Sequence, residues 1–457
     1  MKGTISSLKI TFIIAMGILA FFSESKAQEQ TFTYKEAVTR ALDENITLKI
    51  QVNEMDAVKM EKVQSRAQFA PSASAFMQFR RQSGNIFIPQ QAELIQTTAD
   101  DFFPQFSADL TLFNGMSNVN NLKRANHRFE AQHHNIKNTE QEIIALVTNQ
   151  YMTVLLDQEY VKIAKENIEA QETLLNRIKG FVDAGITFVG DQYNQEAEIK
   201  SLELAEVQAI NQLKNDKAVL ARILLLDPLS DIKVVEPNWT LEDQMINEYT
   251  LESLYQTALA NREDLKQLTS LEKANGYSVS MAKSNLMPRV AAFFNYDSYY
   301  NSSAQRDGED LSFNEQVREI NPSKAYGVTL NIPIFSRYQN RLNIAQSKVT
   351  HKNSMLEIDR LKNTIYTEVL TALQDYEAAI ATYEASVAQF DAAELNMNTQ
   401  KERYKLGNAT IVDVTTATNN FISASVDKAS ARYTLLFQKI ILDYRTGTLS
   451  YETLPGK

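Results

Sequence analysis

From Val369 the apolar positions run Val369, Leu373, Tyr376, Ile380, Tyr383, Val387, Phe390 and Met397. The steps alternate four and three residues until a final seven, where Glu394 fills the skipped place. Such a heptad seam predicts an α-helix packed as a coiled coil. Glycine and proline, the main helix breakers, are absent from 116–179, 191–227, 334–406 and 408–446. A helix filling the first window would be about 96 Å long, against about 12 residues for an ordinary globular helix. An amphipathic helix in a globular core gives the same seam, but the uncapped length argues against it.

Four shorter stretches alternate with a period of two. Ala75, Met77 and Phe79 oppose Gln78 and Arg80, and Phe106, Ala108, Leu110 and Leu112 oppose Ser107, Asp109 and Thr111. Ala292, Phe294 and Tyr296 oppose Asn295 and Asp297, and Tyr326, Val328, Leu330 and Ile332 oppose Gly327, Thr329 and Asn331. The alternation predicts strands at 71–82, 105–113, 288–300 and 324–335, with a polar loop of about twenty residues inside each pair. At about ten residues per strand it fits a transmembrane barrel, and it also fits half-buried strands of a soluble sheet.

The chain matches itself. Shifted by 217, "ALDENITLK" (41–49) lies on "ALANREDLK" (258–266) and Pro71 on Pro288. Shifted by 222, Gly185 lies on Gly407 and Asp191 on Asp413. Two tandem copies are expected, 28–227 with a hairpin tip near 185 and 251–447 with a tip near 407. The stretch 228–250 would connect them, and 448–457 would be a tail. Four strands cannot close a barrel, and an open sheet in lipid leaves unpaired edges. The barrel must be shared between chains: two would give eight strands and three would give twelve.

The N-terminus changes the compartment. Lys2 and Lys9 flank the apolar run Ile10–Phe22, followed by small residues at Ser25 and Ala27. The pattern predicts a secretory signal peptide over 1–27. Thirteen apolar residues are too few to span about 30 Å of hydrocarbon as an anchor. Loss of that segment removes three lysines and one glutamate, taking the net charge from −10 to −12. An acidic exported chain is a poor nucleic-acid binder. The absence of cysteine leaves packing and assembly to hold the protein together.

Little here resembles an active site. His127, His133, His134 and His351 form no metal-binding spacing, and no nucleophile elbow, P-loop or dinucleotide fingerprint appears. No cofactor or metal is expected, and the protein is not expected to be an enzyme.

The stretch "GNATIVDVTTATNN" (407–420), then "ARYTLLFQKIILDYRTGTL", with the paired "AL…LK" starts and the two glycine turns, resembles the TolC family of bacterial outer-membrane efflux proteins. The likeness covers essentially the whole mature chain. It implies an α+β, mostly α membrane protein. Three chains would share a twelve-stranded antiparallel β-barrel in outer-membrane lipid, continued by a long periplasmic α-helical barrel. It also implies a passive exit duct working with a periplasmic adaptor and an inner-membrane pump of the proton-driven or ABC type. A periplasmic coiled-coil protein that conducts nothing is the alternative.

The resemblance also implies roles. Gly185, Ile186 and Thr187, and Gly407, Asn408 and Ala409, fall at the turns that contact the adaptor. Tyr404 and Asp191 fall at a tyrosine–aspartate bond that closes the periplasmic tip. Asp413 matches the first of two aspartate rings at the constriction. Thr416 stands at the second and is not acidic, and Ala409 replaces an arginine of the lock. Thr410 and Asp413 also read as a capping box at a helix start.

Overall fold

The computed structural model describes residues 30–88, 92–227, 230–237 and 249–451. The expected signal peptide, most of the connector and the end of the tail lie outside them. The elements, in chain order, are strand β1 (Gln30–Phe32), helices α1 (Tyr34–Glu44) and α2 (Ile46–Ala67), strands β2 (Ser72–Ile88) and β3 (Glu93–Asn114), helices α3 (Ser117–Asp183) and α4 (Val189–Ile223), and strand β4 (Ile232–Val234). Then follow α5 (Leu251–Asn261), α6 (Glu263–Ser284), β5 (Arg289–Asp297), β6 (Ser323–Asn331), α7 (Gln339–Lys405) and α8 (Ile411–Arg445). Contacts divide the chain into two compact units. One holds the chain to Lys49, Asn138–Arg262 and the chain from Ile365; the other holds Ile50–Lys137 and Glu263–Thr364.

The first unit is helical. Thr33 caps α1 and Thr250 caps α5, each accepting a backbone N–H with its side chain. Both helices stop at one extended residue, Asn45 (φ −56°, ψ 122°) and Arg262 (φ −60°, ψ 123°). The seam of α7 is inward: Val369, Leu373, Tyr376 and Met397 are buried, and Ile380, Tyr383, Val387 and Phe390 half-buried. Near β1 and β4, which pair in parallel, Tyr34 and Tyr151 meet edge to face at 5.6 Å. Burial pushes the Tyr34 hydroxyl up to about 12.

The second unit carries one antiparallel sheet in the order β2-β3-β5-β6. Its register joins the four apolar faces read from the sequence into one. Ala73, Ala108, Phe294 and Tyr326 form one row, and Ala75, Phe106, Tyr296 and Lys324 the next. Ser74, Ser107 and Asn295 form a row on the opposite face. The apolar face is open, with Met77, Phe79, Val328 and Leu330 exposed and Tyr326 82% exposed. A bulge between Thr111 and Phe113 brings Phe113 opposite Val290 on that face.

The sheet departs from expectation in its loops. The polar loop expected after residue 82 is strand: β2 and β3 stay paired from Ser72–Asp109 to Ile88–Glu93. Arg80 pairs with Asp101 at 2.7 Å, Arg81 with Asp100 at 2.7 Å, and the Ser83 and Thr98 hydroxyls meet at 2.9 Å. Polar side chains on both faces hid this ladder, because its stability lies in cross-strand pairs rather than in alternation. The second expected loop is folded as well. Between β5 and β6 it makes a two-residue pairing of Gln305–Arg306 with Glu309–Asp310 and a helical turn at Phe313–Ile320. Asn301 and Gln316 are fully buried there, the Gln316 side-chain amide accepting the Asn301 N–H at 2.9 Å and donating to the Asn301 carbonyl at 3.0 Å. The last strand ends at Asn331, short of the expected 335, just before Pro333, which has no N–H for a ladder.

Candidate functional site: the two hairpin turns

Both long hairpins reverse through the same backbone motif. Gly185 (φ +71°) and Gly407 (φ +73°) adopt the left-handed conformation that L side chains disfavour. Ile186 N–H donates to the Phe181 carbonyl at 2.8 Å, and Asn408 N–H to the Arg403 carbonyl at 2.8 Å. Gly185 N–H reaches Val182 at 2.9 Å and Gly407 N–H reaches Tyr404 at 3.0 Å. These paired bonds are Schellman caps, which satisfy the last carbonyls of α3 and α7. A guanidinium N–H of Arg403 also donates to the Asn408 carbonyl at 3.1 Å.

The helices leave these turns differently. Thr410 caps α8: its hydroxyl accepts the Asp413 N–H at 3.2 Å, and the Asp413 carboxylate accepts the Thr410 N–H at 2.8 Å and hydroxyl at 2.7 Å. The capping box read from the sequence is therefore formed. Those two bonds hold the Asp413 carboxyl below the usual range, and the side chain is exposed. Thr416 is exposed one turn further along α8, and Ala409 is half-buried. At the first turn the capping place falls to Phe188, which cannot cap and stands 85% exposed. Asp191 is bonded instead by the Thr187 hydroxyl. Ile186, Val189 and Tyr193 are exposed beside Phe188. The sequence reading named Ile186 at this turn but passed over Phe188, Val189 and Tyr193, whose apolar pattern was the signal for this surface.

The turns meet through a small apolar core. Leu174 and Ile178 of α3 are buried against Ile411 and Val414 of α8, with Val182 and Tyr404 packed on them. The Tyr404 ring lies 6.4 Å from Phe181. Within the chain the Tyr404–Asp191 hydrogen bond implied by the resemblance is not made: Thr187 takes Asp191, and the Tyr404 hydroxyl is buried beside the Thr187 side chain without a full hydrogen bond. Burial, and then the charge of Asp191, raise the Tyr404 titration.

Among the described residues no cluster of three or more metal-ligating side chains exists. Three histidines each pair with an acid, His127 with Glu130 at 2.8 Å, His134 with Glu263 at 2.6 Å and His351 with Glu272 at 2.5 Å. The turns offer the chemistry of a contact surface: apolar at 186–193, charged and capped at 403–413.

Comparison with known proteins agrees with this architecture. The family model described as "Outer membrane efflux protein" matches residues 37–224 and 254–447. The outer membrane efflux protein BepC of Brucella suis is 23% identical over 349 residues, covering 75% of this chain and 71% of its own. Among solved structures, CusC superposes with a TM-score of 0.78 at 14% identity, covering 91% of this chain and 92% of its own. The CmeC outer membrane channel of Campylobacter jejuni gives 0.76 at 16% identity, covering 91% and 85%.

Proposed function

Since the chain belongs to the outer membrane efflux protein family, we propose that three copies form a passive exit duct across the outer membrane. One observation carries the reading: a sheet of four long strands, with the short Tyr300–Asn301 added on β3, that has one apolar, exposed face and two strands, β2 and β6, that each have a single neighbour among the described residues. In lipid such a sheet must find further strands, and twelve strands from three chains close it. The exposed apolar row is then the lipid face, and the polar row lines the lumen.

The helices support assembly in the same way. α7 exposes a second seam beside its buried one: Ala378, Ala381, Ala385, Ala388, Ala392 and Leu395 at alternating spacings of three and four. α4 exposes Tyr193, Leu204 and Val207. Seams of this kind pack against a neighbouring coiled coil, and a ring of such hairpins makes a periplasmic tube. The matched junctions, Thr33 with Thr250 and Asn45 with Arg262, support two tandem copies with bounds at 28–227 and 251–447.

In this reading the turns at 185–187 and 407–409 meet a periplasmic adaptor, through which an inner-membrane pump delivers cargo. The exposed Ile186 and Phe188 favour that use. Asp413, repeated by symmetry, contributes one ring of carboxylates at the periplasmic end. Asp191, Tyr404 and Thr416 belong to the same gate. Energy and cargo choice lie with the pump, and no catalysis or cofactor is required of this chain.

The test is direct. The protein should extract only with detergent, run as a heat-labile trimer and open a conductance in planar bilayers. A water-soluble monomer without conductance would instead establish the alternative, a periplasmic coiled-coil protein.

A further inference from the structure

The helical unit holds a cavity that the duct does not need. α3, α7 and α8 leave about 420 Å³ between them, where the small residues Ala170, Ser425 and Ala429 face the gap. That volume is in the range of small-molecule sites. Its walls are apolar: Ile163, Met397 and the rings of Phe390 and Phe421, which meet at 5.4 Å.

Its polar groups are of two kinds. Thr418 is 2% exposed, and its hydroxyl oxygen has no hydrogen-bond partner. A buried hydroxyl without a partner costs stability, so this one is available to a ligand. Lys401 and Lys428 also line the cavity. Among the described residues neither is paired with a carboxylate. The Lys428 ammonium lies 3.9 Å from the Phe390 ring centroid. Burial lowers the Lys401 titration, and the charges of Arg177 and Lys405 lower it further, so an anion there would be welcome. The acids lie at the end away from Lys401, where they are partly spent: Glu159 holds Lys162 at 3.1 Å, and Arg432 there is held by Glu236 at 2.8 Å. The cavity is therefore cationic at Lys401 and mixed in charge at its far end, where Lys428, Arg432, Glu159 and Glu166 line it.

We propose that this cavity binds a small amphipathic organic anion, with a flat apolar body against Phe390, Phe421 and Met397, beside Lys428, and a carboxylate or sulfonate held by Lys401 and the Thr418 hydroxyl. The ligand touches three helices and so ties α7 and α8 to α3. The site stands whether or not the chain conducts.

The test uses the full-length protein in detergent, titrated calorimetrically with 2-naphthoate and, separately, with 2-naphthylmethylammonium, a cation of similar body. One saturable site per chain is expected for the anion and none for the cation. The Lys401→Gln/Lys428→Gln double variant should weaken 2-naphthoate by about tenfold or more, since it removes the charge-assisted contact at Lys401 and the cation beside the Phe390 ring. Ser425→Leu should abolish binding by filling the gap while keeping both charges. Ala170→Leu, at an exposed position, serves the same purpose if Ser425→Leu fails to fold. Absence of a 2-naphthoate site, equal uptake of the cation, or undiminished binding in the double or the filling variants overturns the proposal.

Discussion

Asp157 and Asp216 set two carboxyl groups against each other across the first hairpin. Asp216 accepts amide N–H groups from Gln212 at 2.6 Å and Gln150 at 3.2 Å. Asp157 is 6% exposed and one of its oxygens has no partner. Burial, with Asp216 beside it, favours the protonated form of Asp157.

The consequence is a stability that falls with pH. Burial, and then the hydrogen bond and charge of Asp216, push Asp157 up to about 7. The folded chain binds this proton more tightly than the unfolded chain, whose carboxyl titrates at about 4. The pair is therefore unpenalised below about pH 4, and stability declines progressively up to about pH 7. The nearby charges, Lys217 paired with Asp231 at 3.1 Å and Glu159 paired with Lys162, are already neutralised by one another. Melting followed by circular dichroism should show a lower Tm at pH 8 than at pH 5. Asp157→Asn keeps a donor toward Asp216 and cannot ionise, so its Tm should change less over that range. Parallel curves for the two proteins would show that the pair is not the source.

Two glycines with nearly the same φ predict opposite tolerances. A Cβ on Gly407 (φ +73°) would meet nothing within 4 Å, whereas one on Gly447 (φ +71°) would lie 2.8 Å from the Arg262 backbone nitrogen. Gly407→Ala should cost only left-handed strain, about 1–2 kcal/mol. Gly447→Ala adds a clash with main chain that cannot rotate away, and its loss of stability in chemical denaturation should be clearly larger. Equal losses would mean that the α8 terminus moves freely away from Arg262.

Thr410 and Asp413 separate capping from conduction. Asp413→Asn keeps an acceptor for the Thr410 N–H and removes the charge. In the proposed duct it should weaken block by multivalent cations while leaving Tm in place. Thr410→Ala should do the reverse, costing about 1 kcal/mol with block unchanged. Bilayer recordings and melting curves on both variants distinguish the roles, and unchanged block in Asp413→Asn would leave the aspartate as a cap alone.

The legible parts of this protein share a physical cause. The seam from Val369 and the alternation at Phe106 and Tyr326 were readable because burial repeats with the period of the element that creates it. The register adds what alternation cannot, that Ala108, Phe294 and Tyr326 stand side by side. The extension of β2 and β3 past residue 82 was not readable, because Arg81 and Asp100 look like loop residues until they face each other. The partner of Asp191 was not readable either. Resemblance pointed to Tyr404, but Thr187 lies four residues away on the same turn, and the local contact is the one made.

Tyr404 gives the last prediction. Its hydroxyl is buried with only a weak approach to Thr187 inside the chain, so its removal forfeits little internal bonding and relieves a desolvated polar group. Tyr404→Phe should leave the Tm unchanged or raise it slightly, because the ring keeps its place against Phe181 and the core of Leu174, Ile178, Ile411 and Val414. Tyr404→Ala should lower it by about 3–5 kcal/mol equivalent, the cost of emptying an aromatic site, less what its partial exposure spares. If Tyr404→Phe destabilises the assembled protein or raises its resting conductance, the hydroxyl has a partner on a neighbouring chain, and the tip is locked between subunits rather than within one.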